Sequence, residues 1–113
     1  MSIAPHHHLS FAVDRQDDGR RTVVAVGGEL DLATAPELRA CVEAALAEGV
    51  RDLCVDLSRT SFMDSSGLHL LARIEAEVRQ RGGRLAIVCV PGPVLRVIEL
   101  TGVAASLPLH VDA

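Results

Sequence analysis

Two short apolar runs, Leu53–Leu57, broken by Asp56, and Leu85–Val90, apolar throughout, are separated by a single helix-length amphipathic stretch, and this alternation constrains the fold more than any other feature. Runs this short and this apolar read as strands covered on both faces. Strands joined through one helix need a crossover, which is right-handed in nearly all cases and makes them parallel. In the stretch between them, Leu71, Ile74 and Val78 mark an inner helical face, while Glu75, Glu77, Arg79 and Arg81 point outward. Gly82 and Gly83 stop that helix.

The flanking segments extend the same pattern. Leu9, Phe11 and Val13 alternate with polar or small neighbours, "DRQDDGR" carries an Asp-Gly turn signal, and Val23–Val26 forms a second apolar run, which together predict a β-hairpin. Thr34 and Glu37 have the spacing of a capping box, with Thr34 accepting from the third helical amide while Glu37 reaches back. Leu38, Cys41, Val42, Ala45 and Leu46 then supply the buried stripe of a helix that Gly49 ends. A third helix follows "PGP", with Pro93 at its first position, Val94, Leu95, Ile98 and Leu100 as apolar contacts, and Gly102 at its close. "SLPLHV" reads as a last edge strand, since Pro108 cannot donate to a sheet ladder. The order strand, strand, helix, strand, helix, strand, helix, strand predicts an α/β fold: a mixed five-stranded β-sheet with an N-terminal hairpin and about three helices packed on it. At 113 residues the chain fits one domain, 1–113, with residues 1–8 as a flexible tail.

Composition removes several classes of function. Fifteen acids against eleven arginines give a net charge of −4, and neither sign is gathered into a block, which argues against nucleic acid as a partner. No run approaches the length of a membrane span, and "MSIAPHHHLS" lacks a basic segment followed by an apolar signal core, so a cytoplasmic protein without membrane insertion is expected. The chain has no lysine, which removes a phosphate-loop lysine, a Schiff-base lysine and a lysine base together. Cys41, Cys54 and Cys89 lie at wide spacing within apolar segments and read as buried thiols. His6–His8 has no fixed acid or cysteine partner, so no metal site is expected, and no glycine-rich fingerprint supports a cofactor.

The remaining chemistry gathers in two polar loops leaving the carboxyl ends of strands, where an open parallel sheet keeps its working edge. One is "GGELD", carrying Glu29 and Asp31; the other is "SRTSFMDSS", carrying Asp64, Ser65 and Ser66. If the two strands are neighbours, Asp31 and Ser65 share one surface. Asp64, Ser65 or Ser66 can cap the helix that follows. A helix amino terminus also favours an anion, so a serine there can carry a phosphoryl group without disturbing the fold. An enzyme reading takes Ser65 as nucleophile with His69, four residues on, as base, but the Gly-x-Ser-x-Gly elbow is absent.

"GGELDLATAPEL" followed by "VDLSRTSFMDSSGLHLL", with the trailing "GGRLAIVCV" and "VLRVIELTG", resembles the STAS domain family and, within it, the bacterial anti-sigma factor antagonists. The similarity runs from about Val23 to Leu107, in the element order given above. The resemblance implies a binding protein rather than an enzyme. It implies phosphorylation at Ser65, the serine directly after Asp64, by a partner that is both anti-sigma factor and serine kinase. A serine phosphatase then resets the switch. Asp31, Asp64, Ser65, Ser66 and Gly67 are the implied partner-binding residues, with Gly67 leaving the approach to the serines uncluttered. The alternative within the same family is an unregulated scaffold or transporter-associated interaction module in which the serines only cap. Two departures stand out: His69 replaces a residue that is often small in the family, and the family's terminal helix is expected to be missing or vestigial after the last strand.

Overall fold

The computed structural model describes residues 9–102 and 107–112. The expected tail 1–8, with His6–His8, lies outside the described residues. Strand β1 (Ser10–Gln16) turns through a short 3-10 segment (Asp17–Gly19) into β2 (Arg21–Leu30), and the two pair antiparallel as the Asp-Gly signal predicts. Then come α1 (Ala35–Ala47), β3 (Asp52–Met63), α2 (Ser65–Gln80), β4 (Arg84–Cys89), α3 (Pro93–Leu100) and β5 (Leu109–Val111). The sheet order is β1-β2-β3-β4-β5, with every pair after the hairpin parallel. The mixed five-stranded sheet and its three helices are those expected, and β5 is an edge strand, but it is only Leu109–Val111, beginning after Pro108, and Ser106 of the expected "SLPLHV" lies outside the described residues.

That order corrects one expectation. Right-handed crossovers that step always in the same direction across a sheet put every helix on the same face. The register shows the result: Val24, Val55 and Ile87 align in one buried row and join residues of all three helices in one core. Ala25, Asp56 and Val88 align on the opposite face and are only half-buried. The strands are therefore covered on one face by helices, not on both.

Three local expectations also change. The Thr34–Glu37 capping box does not form: Thr34 makes no capping bond, its hydroxyl donates to the Glu29 carbonyl at 2.6 Å, and Glu37 Oε1 accepts from the Leu9 amide at 3.1 Å. Thr34 is thus spent on holding the β2–α1 turn, and Glu37 on anchoring the start of the hairpin to α1. Leu100 is 79% exposed and adds nothing to the core, because Ile98 already fills the inward position of the last turn of α3. Finally, "GGEL" and "SRTSFM" are not loops; β2 continues to Leu30 and β3 to Met63.

The strand ends beyond Ala25 and Asp56 differ from ordinary ladder. Register slips between Ala25 and Gly27, and again between Gly28 and Glu29, so β3 carries two more residues than β2 over the same span. Such bulges bend a strand and leave backbone groups without ladder partners. Thr60 Oγ1 donates to the Val26 carbonyl at 2.8 Å, and Ser61 Oγ to the Gly28 carbonyl at 3.3 Å, so the hydroxyls of the "RTS" segment supply bonds there. The paired glycines have separate uses. A Cβ on Gly27 would lie 2.5 Å from Ser10 Oγ, and Gly28 takes φ +105°, which other residues rarely adopt.

Candidate functional site

The bulged ends of β2 and β3 carry the site. Leu30 and Met63 are paired in register, and the Asp64 amide donates to the Leu30 carbonyl at 3.2 Å. Asp31 and Asp64 therefore leave adjacent strands side by side, and the expected common surface for Asp31 and Ser65 is present.

Of the three capping candidates, Asp64 does the capping. Its backbone is extended (φ −107°, ψ −172°), and its Oδ1 accepts from the Ser66 amide at 2.9 Å and the Gly67 amide at 3.3 Å. This satisfies two of the amides that open a helix without internal partners. Ser65 becomes the first residue of α2, solvent-exposed, and Ser66 is half-buried behind it. Ser65 Oγ lies outside every hydrogen bond among the described residues, so its hydroxyl is not committed to the fold. It also sits at the positive end of a sixteen-residue helix.

Asp31 has an organising role that the spacing alone did not disclose. Its Oδ1 accepts from the Ala33 and Thr34 amides, each at 3.0 Å, and its own amide donates to Thr34 Oγ1 at 3.0 Å. A carboxylate binding amides two and three residues on is a local turn lock of the kind that Asp favours. The turn it locks presents Leu32, which is 76% exposed. Phe62, near the end of β3 just before the serines, is 45% exposed. Sequence reasoning did not single out either apolar residue: Phe62 lay within a segment read as polar loop, and nothing in the spacing shows that the turn after β2 exposes Leu32.

Gly67 is placed inward. It is buried, and a Cβ there would lie 2.6 Å from Met63 Cγ, 2.8 Å from Leu30 Cγ and 3.0 Å from the Leu30 carbonyl. Its missing side chain lets α2 start against the paired strand ends. Next to it, a groove of about 320 Å³ runs between the first turns of α1 and α2, lined by Leu32, Pro36, Ser66, His69 and Leu70 with Arg73 at its far end.

The nucleophile reading gains nothing from the geometry. Ser65 and His69 are both exposed and, among the described residues, share no hydrogen bond, so the activation that a serine nucleophile needs is not assembled. Burial pushes the thiols of Cys41, Cys54 and Cys89 up; for Cys54 a neighbouring Arg21 partly opposes the shift. All three are free thiols, Cys54 and Cys89 buried and Cys41 half-buried. Among the described residues no cluster of His, Cys, Asp and Glu is disposed to hold a metal, and no helix is long and apolar enough to cross a membrane.

Comparison with known proteins agrees with this architecture. The STAS domain family model matches residues 12–112. An anti-sigma-B factor antagonist of Staphylococcus aureus is 39% identical over 79 residues, covering 70% of this chain and 73% of the relative. The crystal structure of an anti-sigma factor antagonist from Mycobacterium paratuberculosis superposes with a TM-score of 0.81 at 30% identity, over 96% of this chain and 90% of that one. The Bacillus cell fate determinant SpoIIAA in its phosphorylated form gives a TM-score of 0.68 at 26% identity, over 92% of each chain. With matching element order, a matching sheet and a family model spanning nearly all of it, the chain belongs to the STAS domain family.

Proposed function

We propose that this chain is an anti-sigma factor antagonist that binds an anti-sigma factor serine kinase while Ser65 is unmodified and loses that binding when Ser65 is phosphorylated. The observation that carries the proposal is the division of labour at the start of α2: Asp64 takes the capping bonds, leaving the exposed Ser65 hydroxyl without a structural duty. Names of relatives support the coarser part, antagonism of an anti-sigma factor, and one neighbour of the same fold is a phosphorylated protein.

The docking surface is the strip formed by Leu32, the serines and Phe62, with Asp31 holding the Leu32 turn and Asp64 holding α2. Kinase action transfers the γ-phosphoryl group of ATP to Ser65 Oγ as the hydroxyl loses its proton, with ADP as the leaving group. The product adds about −1.5 to −2 charges at pH 7 beside Asp64, at an end of the sheet that also exposes Leu32 and Phe62. An unpaired charge caught in an interface costs several kcal/mol, and each ~1.4 kcal/mol is tenfold in affinity, so a loss of roughly a hundredfold or more is expected. A serine phosphatase, by hydrolysing the ester, restores the binding form. The switch works by charge and bulk, with no change of fold.

The test is to incubate the full chain with its cognate anti-sigma factor and Mg-ATP and to locate the phosphate by mass spectrometry. A single phosphate on Ser65, absent in Ser65→Ala, is the expected result. A phosphate on Ser66, or none in either protein, contradicts the proposal and favours the unregulated interaction module.

A further inference from the structure

At the end of the sheet opposite Ser65, the same short pattern recurs before three successive strands: Gly19-Arg20 before β2, Gly49-Val50-Arg51 before β3 and Gly82-Gly83-Arg84 into β4. Gly19, Gly49 and Gly82 all take positive φ (+85°, +98° and +75°), so each turn reverses sharply and each arginine emerges at the same edge. Two of the turns are held in close contact. The Arg84 amide donates to the Arg51 carbonyl at 2.6 Å, and a Cβ on Gly83 would lie 2.4 Å from that same oxygen. Between the turns lies an open cavity of about 610 Å³ lined by Arg20, Arg51, Arg84, Asp18, Asp52 and backbone of the glycines.

The ion pairs among the described residues are Arg15–Glu48, Arg39–Glu43 and Arg79–Glu75; none involves the three cavity arginines. Arg51 spends one nitrogen on the Val50 carbonyl at 3.0 Å, and among the described residues neither Arg20 nor Arg84 makes a side-chain hydrogen bond. The cavity is therefore net positive on a chain of net charge −4.

We propose that this cavity binds a small anion carrying two or more phosphoryl groups. A guanidinium is a rigid fork of donors that matches a pair of phosphate oxygens, and three forks arriving from three turns around one cavity suit an anion that presents several such pairs. The volume is that of a small-molecule site. The acidic remainder of the surface opposes a long polyanion that would have to track beyond the cavity, whereas within the cavity the three arginines outnumber Asp18 and Asp52. The proposal is independent of the function assigned to Ser65, which lies at the other end of the parallel strands.

Sodium pyrophosphate is the probe, titrated into the full chain at low ionic strength and followed by amide NMR shifts. Saturable one-to-one binding is expected, with shifts centred on Gly19, Gly49 and Gly82. Arg20→Gln and Arg84→Gln, both at exposed positions, each weaken it by about tenfold or more through loss of one fork. Arg84→Lys, which keeps the charge, restores only part, and Ser65→Ala binds as well as the parent. Shifts that fail to saturate, that sodium sulfate reproduces at equal ionic strength, or that survive both glutamine substitutions overturn the proposal. So does arginine-dependent co-sedimentation with phosphatidylglycerol vesicles without pyrophosphate binding, since that assigns the forks to headgroups.

Discussion

Asp64, Ser65, Ser66 and Gly67 are consecutive, yet each answers to a different constraint. Asp64 is held by the unpaired amides of α2, so Asp64→Ala is expected to cost about 1 kcal/mol in urea denaturation, the usual value of a lost amino-terminal cap. Ser65→Ala and Ser66→Ala remove no hydrogen bond and should fall within about 0.5 kcal/mol of the parent. Gly67→Ala forces a methyl against Met63 and Leu30 and should cost about 1–3 kcal/mol, the range for overpacking a filled core. A stable Gly67→Ala protein would contradict the inward placement. The motif alone located this cluster but could not assign the cap, because aspartate and serine cap about equally well and only the backbone path decides between them. The expectation that Gly67 leaves the approach to the serines uncluttered did not include its inward packing against Met63 and Leu30, since a sequence does not say which way a missing side chain would have pointed.

At the scale of elements, the parts with clean periodicity were legible and the bulged parts were not. The hairpin, the α1 and α2 stripes and the glycine stops arise from alternation, helical spacing and turn chemistry. Alternation fails in Gly27–Leu30 and Arg59–Met63 because each register slip reverses the facing of the residues beyond it, so strand looks like polar loop. The hydroxyls there are structural, and Thr60→Val, which leaves the buried Val26 carbonyl without its 2.8 Å bond, should destabilise the fold by about 1–3 kcal/mol. An effect of that size, with no such loss in Ser61→Ala at the exposed 3.3 Å bond, is the pattern to look for in thermal melts. The capping box failed for a related reason: Thr34 and Glu37 had the right spacing, but the turn offered the Thr34 hydroxyl the Glu29 carbonyl instead.

For the whole molecule, a sheet order that runs in one direction gathers the three helices on one face and sends both ends of the parallel strands to solvent. The carboxyl ends carry the serine and its exposed apolar neighbours; the amino ends carry the three arginines. The helix-covered core also sets a pH limit. Cys41, Cys54 and Cys89 have thiols pushed above the ordinary value of 9.0, chiefly by burial, so on raising pH the unfolded chain releases these protons first. The native state then holds more protons than the unfolded one, and stability declines with further rise in pH. Denaturation midpoints should be unaffected by these groups well below pH 9.0 and fall above it, and a Cys54→Ala/Cys89→Ala chain should show a shallower fall.

The central claim is that charge at one exposed hydroxyl ends docking without altering the fold. The most direct measurement is titration of the cognate anti-sigma factor, without nucleotide hydrolysis, by parent, Ser65→Ala, Ser65→Asp and enzymatically phosphorylated protein, each checked for an unchanged circular dichroism spectrum. Parent and Ser65→Ala should bind within a few-fold of each other, while the phosphorylated protein loses roughly a hundredfold or more and Ser65→Asp a large part of that. Equal affinity of the phosphorylated and unmodified proteins would contradict the account.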